Sequence, residues 1–304
     1  MNNEMTVVRS ITKDETAQLK GIAICCVILG HMNLLPGGGA IGVEAFLVLS
    51  GYGIYQSYKS KNLNNYWTSK LEKVWLPYFI WEILVLIFYR ATSIKSFEDI
   101  SLIEIIASLI GISPYNVIDK TMWYIPFVFI GYFAFWIISK RFKEKKLVVL
   151  FTIASLLVAF LAAIGLFPRY TGAWLYVFGM PIGVAYSWSI CEEKKWNKGS
   201  LIALCGLLLW PIAQNNVLLY TGFVTSVGLS ITVLPNIRIS VTSNKLLKWI
   251  GKNSYFIYLC EAVVIDTMGY MLPEINRYIR DVLIVGVIAL ITSGKQILVK
   301  VIKR

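Results

Sequence analysis

Residues Leu19–Tyr55 read LKGIAICCVILGHMNLLPGGGAIGVEAFLVLSGYGIY, two apolar runs joined by a short glycine-rich turn at Pro36–Ala40. Each run approaches the roughly 20 residues that an apolar helix needs to cross a bilayer. The runs are continuous, not alternating, so they read as helices and not as barrel strands. The first run nevertheless holds His31, the one histidine among 304 residues. An imidazole inside such a helix asks for a reason.

The same texture recurs to Val301. Hydrophobic residues make up 57% of the chain, charged residues 15%, and the mean hydropathy is +0.66. A soluble chain carries about a quarter charged residues. About ten spans are expected, near 19–36, 39–58, 74–90, 122–139, 147–166, 172–190, 200–214, 216–235, 253–271 and 281–299. The seventh is short and contains Pro211. The expected fold is all-α, a polytopic transmembrane helical bundle, with residues 1–304 forming one domain. Ala91–Thr121 is the longest external stretch. Within it Ile100–Ile112 is apolar but too short to span, so it is expected to be re-entrant or to lie along the interface.

The net charge is +12. With the N-terminus inside, 22 basic residues fall on the cytoplasmic side and six outside, with Lys295 in the last span. That asymmetry puts both termini in the cytoplasm. It also accounts for the positive charge without nucleic acid, for which no groove-reading or stacking module is present. The five cysteines, Cys25, Cys26, Cys191, Cys205 and Cys260, show no CxxC spacing and read as small packing residues. One histidine and scattered carboxylates make a poor transition-metal site, so no metal is expected.

Ionisable groups within spans are costly and are candidates for function. Lys20 and His31 stand eleven residues apart. They share one stripe of a helix, some 20° beyond three full turns, separated by about 16 Å along its axis. Lys20 then lies near the cytoplasmic surface and His31 toward the outside. A long ligand with an anionic head and a reactive tail fits this spacing, and coenzyme A thioesters have that shape. A lysine at a helix end also simply snorkels. An imidazole titrates near neutrality and is the commonest general base.

Glu44 lies five residues into the second span, at an expected depth similar to that of His31, where a carboxylate would hold the imidazole's tautomer. The alternative is a packing carboxylate satisfied by backbone or water. Ser50, Gly51 and Gly53 suit close helix approach. Lys70 and Lys73, at i, i+3 before the third span, share a face and are suited to phosphates or to plain topology signalling. Trp123 opens the fourth span as an interfacial aromatic.

Together these stretches resemble the acyltransferase-3 group of integral-membrane acyltransferases. LKGIAICCVILGH is similar to that family's first helix, a basic residue followed after ten residues by histidine. IGVEAFLVLSGYGIY resembles its second helix, KLEKVWLPYFIW its RxxR followed by proline and an aromatic, and MWYIPFVF its WFLxxL. GKNSYFIYLCE resembles its late SYxxYLxH, with Glu261 where histidine is frequent. Lys20, Lys70 and Lys73 replace the family's usual arginines, and lysine binds phosphate as a point charge without the bidentate fork.

The resemblance implies transfer of an acyl group, usually acetyl, from cytoplasmic acetyl-CoA to a hydroxyl of an extracytoplasmic carbohydrate or lipid-linked glycan. No cofactor is held permanently; acetyl-CoA is the donor. The chain is expected as a multi-pass protein of the cell membrane, the bacterial cytoplasmic membrane in the usual case. Lys20, Lys70 and Lys73 would hold the coenzyme A phosphates. His31, oriented by Glu44, would deprotonate the acceptor hydroxyl or carry the acyl group transiently. Ser50, Tyr52, Trp123 and Glu261 would support or contact substrate. A transporter or flippase of a lipid-linked saccharide is the alternative, although no broken-helix repeat pair is visible.

Overall fold

The computed structural model describes residues 10–113, 116–163, 173–192, 217–233 and 244–302. Every regular element among them is a helix. In chain order these are α1 (Lys13–His31), α2 (Gly38–Lys61), α3 (Tyr66–Lys70), α4 (Leu76–Thr92), α5 (Leu102–Leu109), α6 (Tyr124–Arg141), α7 (Glu144–Ala163), α8 (Gly179–Cys191), α9 (Val217–Val233), α10 (Lys245–Met271) and α11 (Arg277–Ile302). Within the described residues, helices overlap nine of the ten expected ranges, and the seventh, 200–214, lies outside the described residues. Two described stretches, Gly38–Lys61 and Lys120–Arg141, are long and apolar enough to cross a membrane.

The first helix is displaced from its expected position. Thr12 and Glu15 form a reciprocal capping box that starts α1 at Lys13. The helix ends at His31, and Asn33 and Gly37 follow with φ of 56° and 73°, in the left-handed region that asparagine and glycine tolerate. His31 is therefore the last helical residue, not one several residues from the end. A second local feature precedes α4. Pro77 has no N–H for the Lys73 carbonyl and its ring would crowd that carbonyl. The chain widens into a π-turn over Leu71–Trp75, which joins α3 to α4.

The stretch between α4 and α6 turns back along α4. The Tyr78 hydroxyl donates to the Ser108 carbonyl, Trp75 Nε1 donates to the Ile110 carbonyl at 2.8 Å, and Asn116 Nδ2 donates to Glu82 Oε2 at 2.9 Å. Tyr78 and Thr92 lie about 20 Å apart along α4. The Ile100–Ile112 segment thus packs back against α4.

α2 stands at the centre, with α1 on one side and α8 and α9 on the other, while α10 packs on α1. Backbones touch where side chains vanish. A Cβ on Gly21 would strike the Leu247 carbonyl and one on Gly251 the Ala17 carbonyl, so α1 and α10 meet directly. Outward faces are apolar. Leu76, Ile80, Leu84 and Ile87 on α4 are exposed at helical spacing, as are Ile130, Phe133 and Ile137 on α6 and Val149, Ile153, Leu156 and Phe160 on α7. The buried polar groups, Glu44, Glu82, Asn116, Asp119 and Glu261 among them, lie inside.

Candidate active site

One stripe from each of four helices faces a common cavity of about 580 Å³. α1 contributes Lys20, Val27 and His31; α2 contributes Gly39, Val43, Phe46 and Ser50. α6 contributes Tyr124, Val128 and Tyr132, and α10 contributes Ser254, Tyr255 and Tyr258. Apart from the adjacent Ser254 and Tyr255, successive positions are three, four or seven residues apart, as one helix face requires. The π-turn adds Lys73 and Val74, and the short turn before α6 adds Lys120, Thr121 and Trp123. The Val74 carbonyl accepts the Tyr255 hydroxyl at 2.6 Å.

At one end stands His31, about a third exposed, with Nδ1 2.7 Å from Oε1 of a fully buried Glu261. With Nδ1 engaged, Nε2 is the ring nitrogen left for the cavity. Carboxyl groups surround this end. Asp119 accepts from the Thr121 backbone N–H at 2.8 Å and from its hydroxyl at 2.7 Å. Asn116 Oδ1 accepts from the backbone N–H groups of Ile118 and Asp119, which fixes that turn. Burial pushes the Asp119 carboxyl up to about 6, against the pull of those Thr121 donors. Tyr258 donates to the Thr121 carbonyl at 2.7 Å and ties the turn to α10.

Lys20 and Lys73 mark the other end. Lys70 adjoins them, with its Nζ 4.2 Å from the centre of the Tyr132 ring and 5.5 Å from that of Tyr66. Burial pushes the Lys70 ammonium down to about 8, with the charges of Lys20 and Lys73 adding to the effect. None of these three lysines has a carboxylate within ion-pair distance among the described residues.

Several sequence expectations meet this geometry differently. Lys20 and His31 do share one wall. Ser50 also lines the cavity, together with Tyr124 and Tyr132. Trp123 lines it too, its ring 5.7 Å from that of Tyr176. Glu44 does not hold His31. Because α1 stops at His31 and α2 starts at Gly38, Glu44 lies about 9 Å below the first turn of α2. Its face is also wrong: Gly42 packs on Ala23 and Val27 of α1, and two residues farther round, about 200°, Glu44 points at Gly179 of α8 and Gly228 of α9. Both of its carboxyl oxygens are buried without a hydrogen-bond partner among the described residues. Glu261 takes the orienting position instead.

Tyr52 is likewise not a cavity residue. Its hydroxyl accepts from the Ile11 backbone N–H at 3.1 Å and donates to the Ile11 carbonyl at 3.2 Å, tying the chain before α1 onto α2. The residues that sequence reading missed are Asp119, Thr121 and the tyrosines of α6 and α10. The signal available was Asn116-x-x-Asp119-x-Thr121, a pattern of side chains that bond their own backbone in turns.

Residues 17–294 match the family model described as an acyltransferase domain. No curated protein and no solved structure matches the chain. The family model covers most of the chain, and the chain belongs to this acyltransferase family, whose domain is typically membrane-embedded.

Proposed function

We propose, from that membership, that this membrane acyltransferase moves an acyl group, acetyl in the usual case, from coenzyme A to a hydroxyl of an extracytoplasmic carbohydrate or lipid-linked glycan. The observation that carries the reading is that one cavity has Lys20 and Lys73, without a carboxylate partner among the described residues, at one end and the His31–Glu261 pair at the other. Cations without counter-charges favour a phosphorylated donor. A buried carboxylate on Nδ1 sets the tautomer in which Nε2 accepts a proton.

The chemistry follows from that polarity. The thioester tail lies along the cavity with its carbonyl beside His31. Nε2 removes the acceptor hydroxyl proton as that oxygen bonds to the carbonyl carbon. The carbon–sulfur bond then breaks, and the thiolate takes the proton back from the imidazolium and leaves as the free thiol. Glu261 touches no reacting atom; it is a positioning residue that holds the ring and stabilises its protonated form. General-base help of this kind is worth about 10²–10⁴ in rate.

In this reading the helices form a bundle of about ten spans with both termini in the cytoplasm. The exposed apolar faces of α4, α6 and α7 would meet lipid, and the 22 inward basic residues set the orientation. The lysine end then opens to cytoplasmic acetyl-CoA and His31 lies toward the outside. The test uses purified protein in neutral-lipid nanodiscs with radiolabelled acetyl-CoA, together with mass spectrometry of cell-surface glycans with and without the gene. Saturable binding and loss of an acyl mark from one glycan are expected. Absence of acetyl-CoA binding by well-folded protein would sink the reading, and so would labelling of a cysteine at position 61 from the outside of intact cells.

A further inference from the structure

α10 serves two spaces. Tyr258 lines the main cavity, whereas Cys260, two residues and about 200° farther round the helix, lines a groove of about 300 Å³ between α4, α10 and α11. The Trp81 ring meets that of Phe256 edge-on at 5.8 Å, and the Tyr89 hydroxyl donates to Asp266 Oδ2 at 3.4 Å, so α4 and α10 run parallel. The short connection after Met271 turns α11 antiparallel to α10. The groove therefore has two ends. Trp81, Cys260 and Ile291 lie at one, and Phe88, Met268 and Val287 at the other, about 10 Å away along α4. No charged side chain lines it among the described residues. Of its lining, Leu84, Phe88 and Ile291 are exposed, so it opens on the outward face and not into the bundle.

Charge begins where the groove stops. Val287, Ile291 and Lys295 fall at four-residue intervals on α11 and share one stripe. Lys295 Nζ lies 4.3 Å from the centre of the same Phe256 ring that abuts Trp81. Lys252, one turn before Phe256 on α10, is exposed as well. Neither lysine has a carboxylate within ion-pair distance among the described residues. A lysine within a span extends its stem along apolar surface and presents its charge to an anion at headgroup level. An apolar trough with an unbalanced cation at one end is the complement of a hydrocarbon chain with an anionic head.

We propose that this groove binds an anionic glycerophospholipid, with its phosphate on Lys295 and one acyl chain laid between α4, α10 and α11. The site rests on the membrane arrangement proposed above and is independent of the acyl-transfer chemistry. Its polarity selects the lipid. Lys295 lies at the Trp81 end of the groove, the end of α4 that follows Lys73, which that arrangement puts on the cytoplasmic side. A lipid-linked acceptor presents its sugar on the other side, toward His31. The phosphate at Lys295 thus belongs to the cytoplasmic leaflet, whose surface anionic lipids make negative. A groove about 10 Å long also fits within one leaflet, half of a hydrocarbon core about 30 Å thick.

The test uses the full chain in phosphatidylcholine nanodiscs doped with traces of phosphatidylglycerol or of phosphatidylcholine, each carrying a photoreactive group midway along one acyl chain. Crosslinked peptides are mapped by mass spectrometry, and acetyl-CoA binding is measured on the same discs. Phosphatidylglycerol should label the groove residues about fivefold more than phosphatidylcholine, the value of one lysine beside an anionic headgroup. Lys295→Gln should bring the two probes to parity, and Lys295→Arg should keep the preference. Val287→Phe fills one end of the groove and should lower its labelling by both probes severalfold, with labelling of the outward face of α7 unchanged. Lys295 is exposed, so its variants should keep the parent's size-exclusion profile and carry the test even where Val287→Phe folds poorly. Equal labelling of the groove by both probes in the parent overturns the proposal, as does an anionic preference that survives Lys295→Gln. Displacement of the label by a polyprenyl phosphate but not by unlabelled phosphatidylglycerol assigns the groove to a lipid-linked substrate and overturns it too. A groove left unlabelled in a protein that dimerises assigns it to a second copy, with the same result. Acetyl-CoA binding without lipid preference removes this site and leaves acyl transfer standing, whereas lipid preference without acetyl-CoA binding supports the site and removes the function proposed above.

Discussion

The two ends of the cavity are built in opposite ways. At the His31 end, the imidazole and the carboxyl groups each have at least one protein partner: Glu261 holds His31, Thr121 donates twice to Asp119, and Asn116 donates to Glu82, although Glu261 Oε2, Asp119 Oδ2 and Glu82 Oε1 are buried without one among the described residues. At the lysine end, Lys20, Lys70 and Lys73 crowd together with no carboxylate among the described residues. A polar network closed by the protein rigidifies and pre-organises. A set of cations left open gains its partners only when an anion arrives. The first arrangement suits a step of chemistry and the second suits a step of binding. Substitutions at the two ends should accordingly fall into separate kinetic classes.

The largest effect belongs to His31. His31→Gln keeps a hydrogen-bonding side chain but removes the proton acceptor. Acyl transfer per folded molecule should fall by about 10²–10⁴, with the donor KM unchanged. A His31→Gln protein with parental turnover would remove the base from the mechanism and leave the closed end purely architectural. Glu261→Gln comes next. It keeps the shape beside Nδ1 and loses the charge, so turnover should drop roughly 10- to 10³-fold, below the loss at His31 and again in kcat and not in KM. A change in KM alone would move Glu261 to the binding side of the comparison.

The open end should behave in the converse manner. Lys20→Gln or Lys73→Gln should raise the donor KM about tenfold, the value of one lost charge-assisted contact, with kcat nearly kept. Arginine at either position should preserve affinity or improve it through its fork. Lys70 adds a pH signature. Its ammonium titrates at about 8 because burial and two neighbouring cations lower it. The protonated form binds phosphate, so donor affinity should be full below that range and should weaken as pH rises through it. Lys70→Arg, which stays charged, should flatten the profile. A flat profile in the parent would show that Lys70 stands clear of the donor.

What could be read from the chain follows physical range. Apolar length gave the helices, because a run of that kind is a local property. The eleven-residue spacing of Lys20 and His31 gave their shared wall, because both sit on one helix of regular pitch. The partner of His31 was not accessible in that way. Glu261 is 230 residues distant, and its approach depends on glycines at positions 21 and 251 that let α1 and α10 touch. Only the motif resemblance pointed at it. The assignment to Glu44 failed through a local error: the end of α1 was placed too late, because the apolar run continues past Asn33 where the backbone has already turned. The returning segment before α6 was half visible. Its apolar length marked it as unusual, but its seat against Tyr78 and Glu82 depends on long-range hydrogen bonds.

The smallest effect separates two of the buried glutamates, Glu44 and Glu261, which are equally inaccessible at 0% exposure. Glu261 is bonded to the imidazole, whereas Glu44 packs against glycine backbone; a Cβ at Gly228 would come within 2.6 Å of its Oε1 and one at Gly179 within 2.8 Å of its Oε2. Glu44→Gln preserves the volume that fills this space between α2, α8 and α9, and it breaks no hydrogen bond to the carboxyl oxygens among the described residues. It does not touch the ring of His31, so neither the tautomer nor the orientation of the base should respond. Turnover should stay within about threefold of the parent, since substitutions remote from the reacting groups leave transition-state contacts intact. Glu44→Ala is the sharper partner of that experiment. It empties a buried space and should lower thermal stability by an amount in the range of about 2–5 kcal/mol for large-to-small core changes. The measurements are turnover and thermal unfolding of both variants beside Glu261→Gln. If Glu44→Gln proves as slow as Glu261→Gln while equally well folded, the charge of Glu44 is felt at the reaction centre, and the division between a closed chemical end and an inert buried carboxyl must be redrawn.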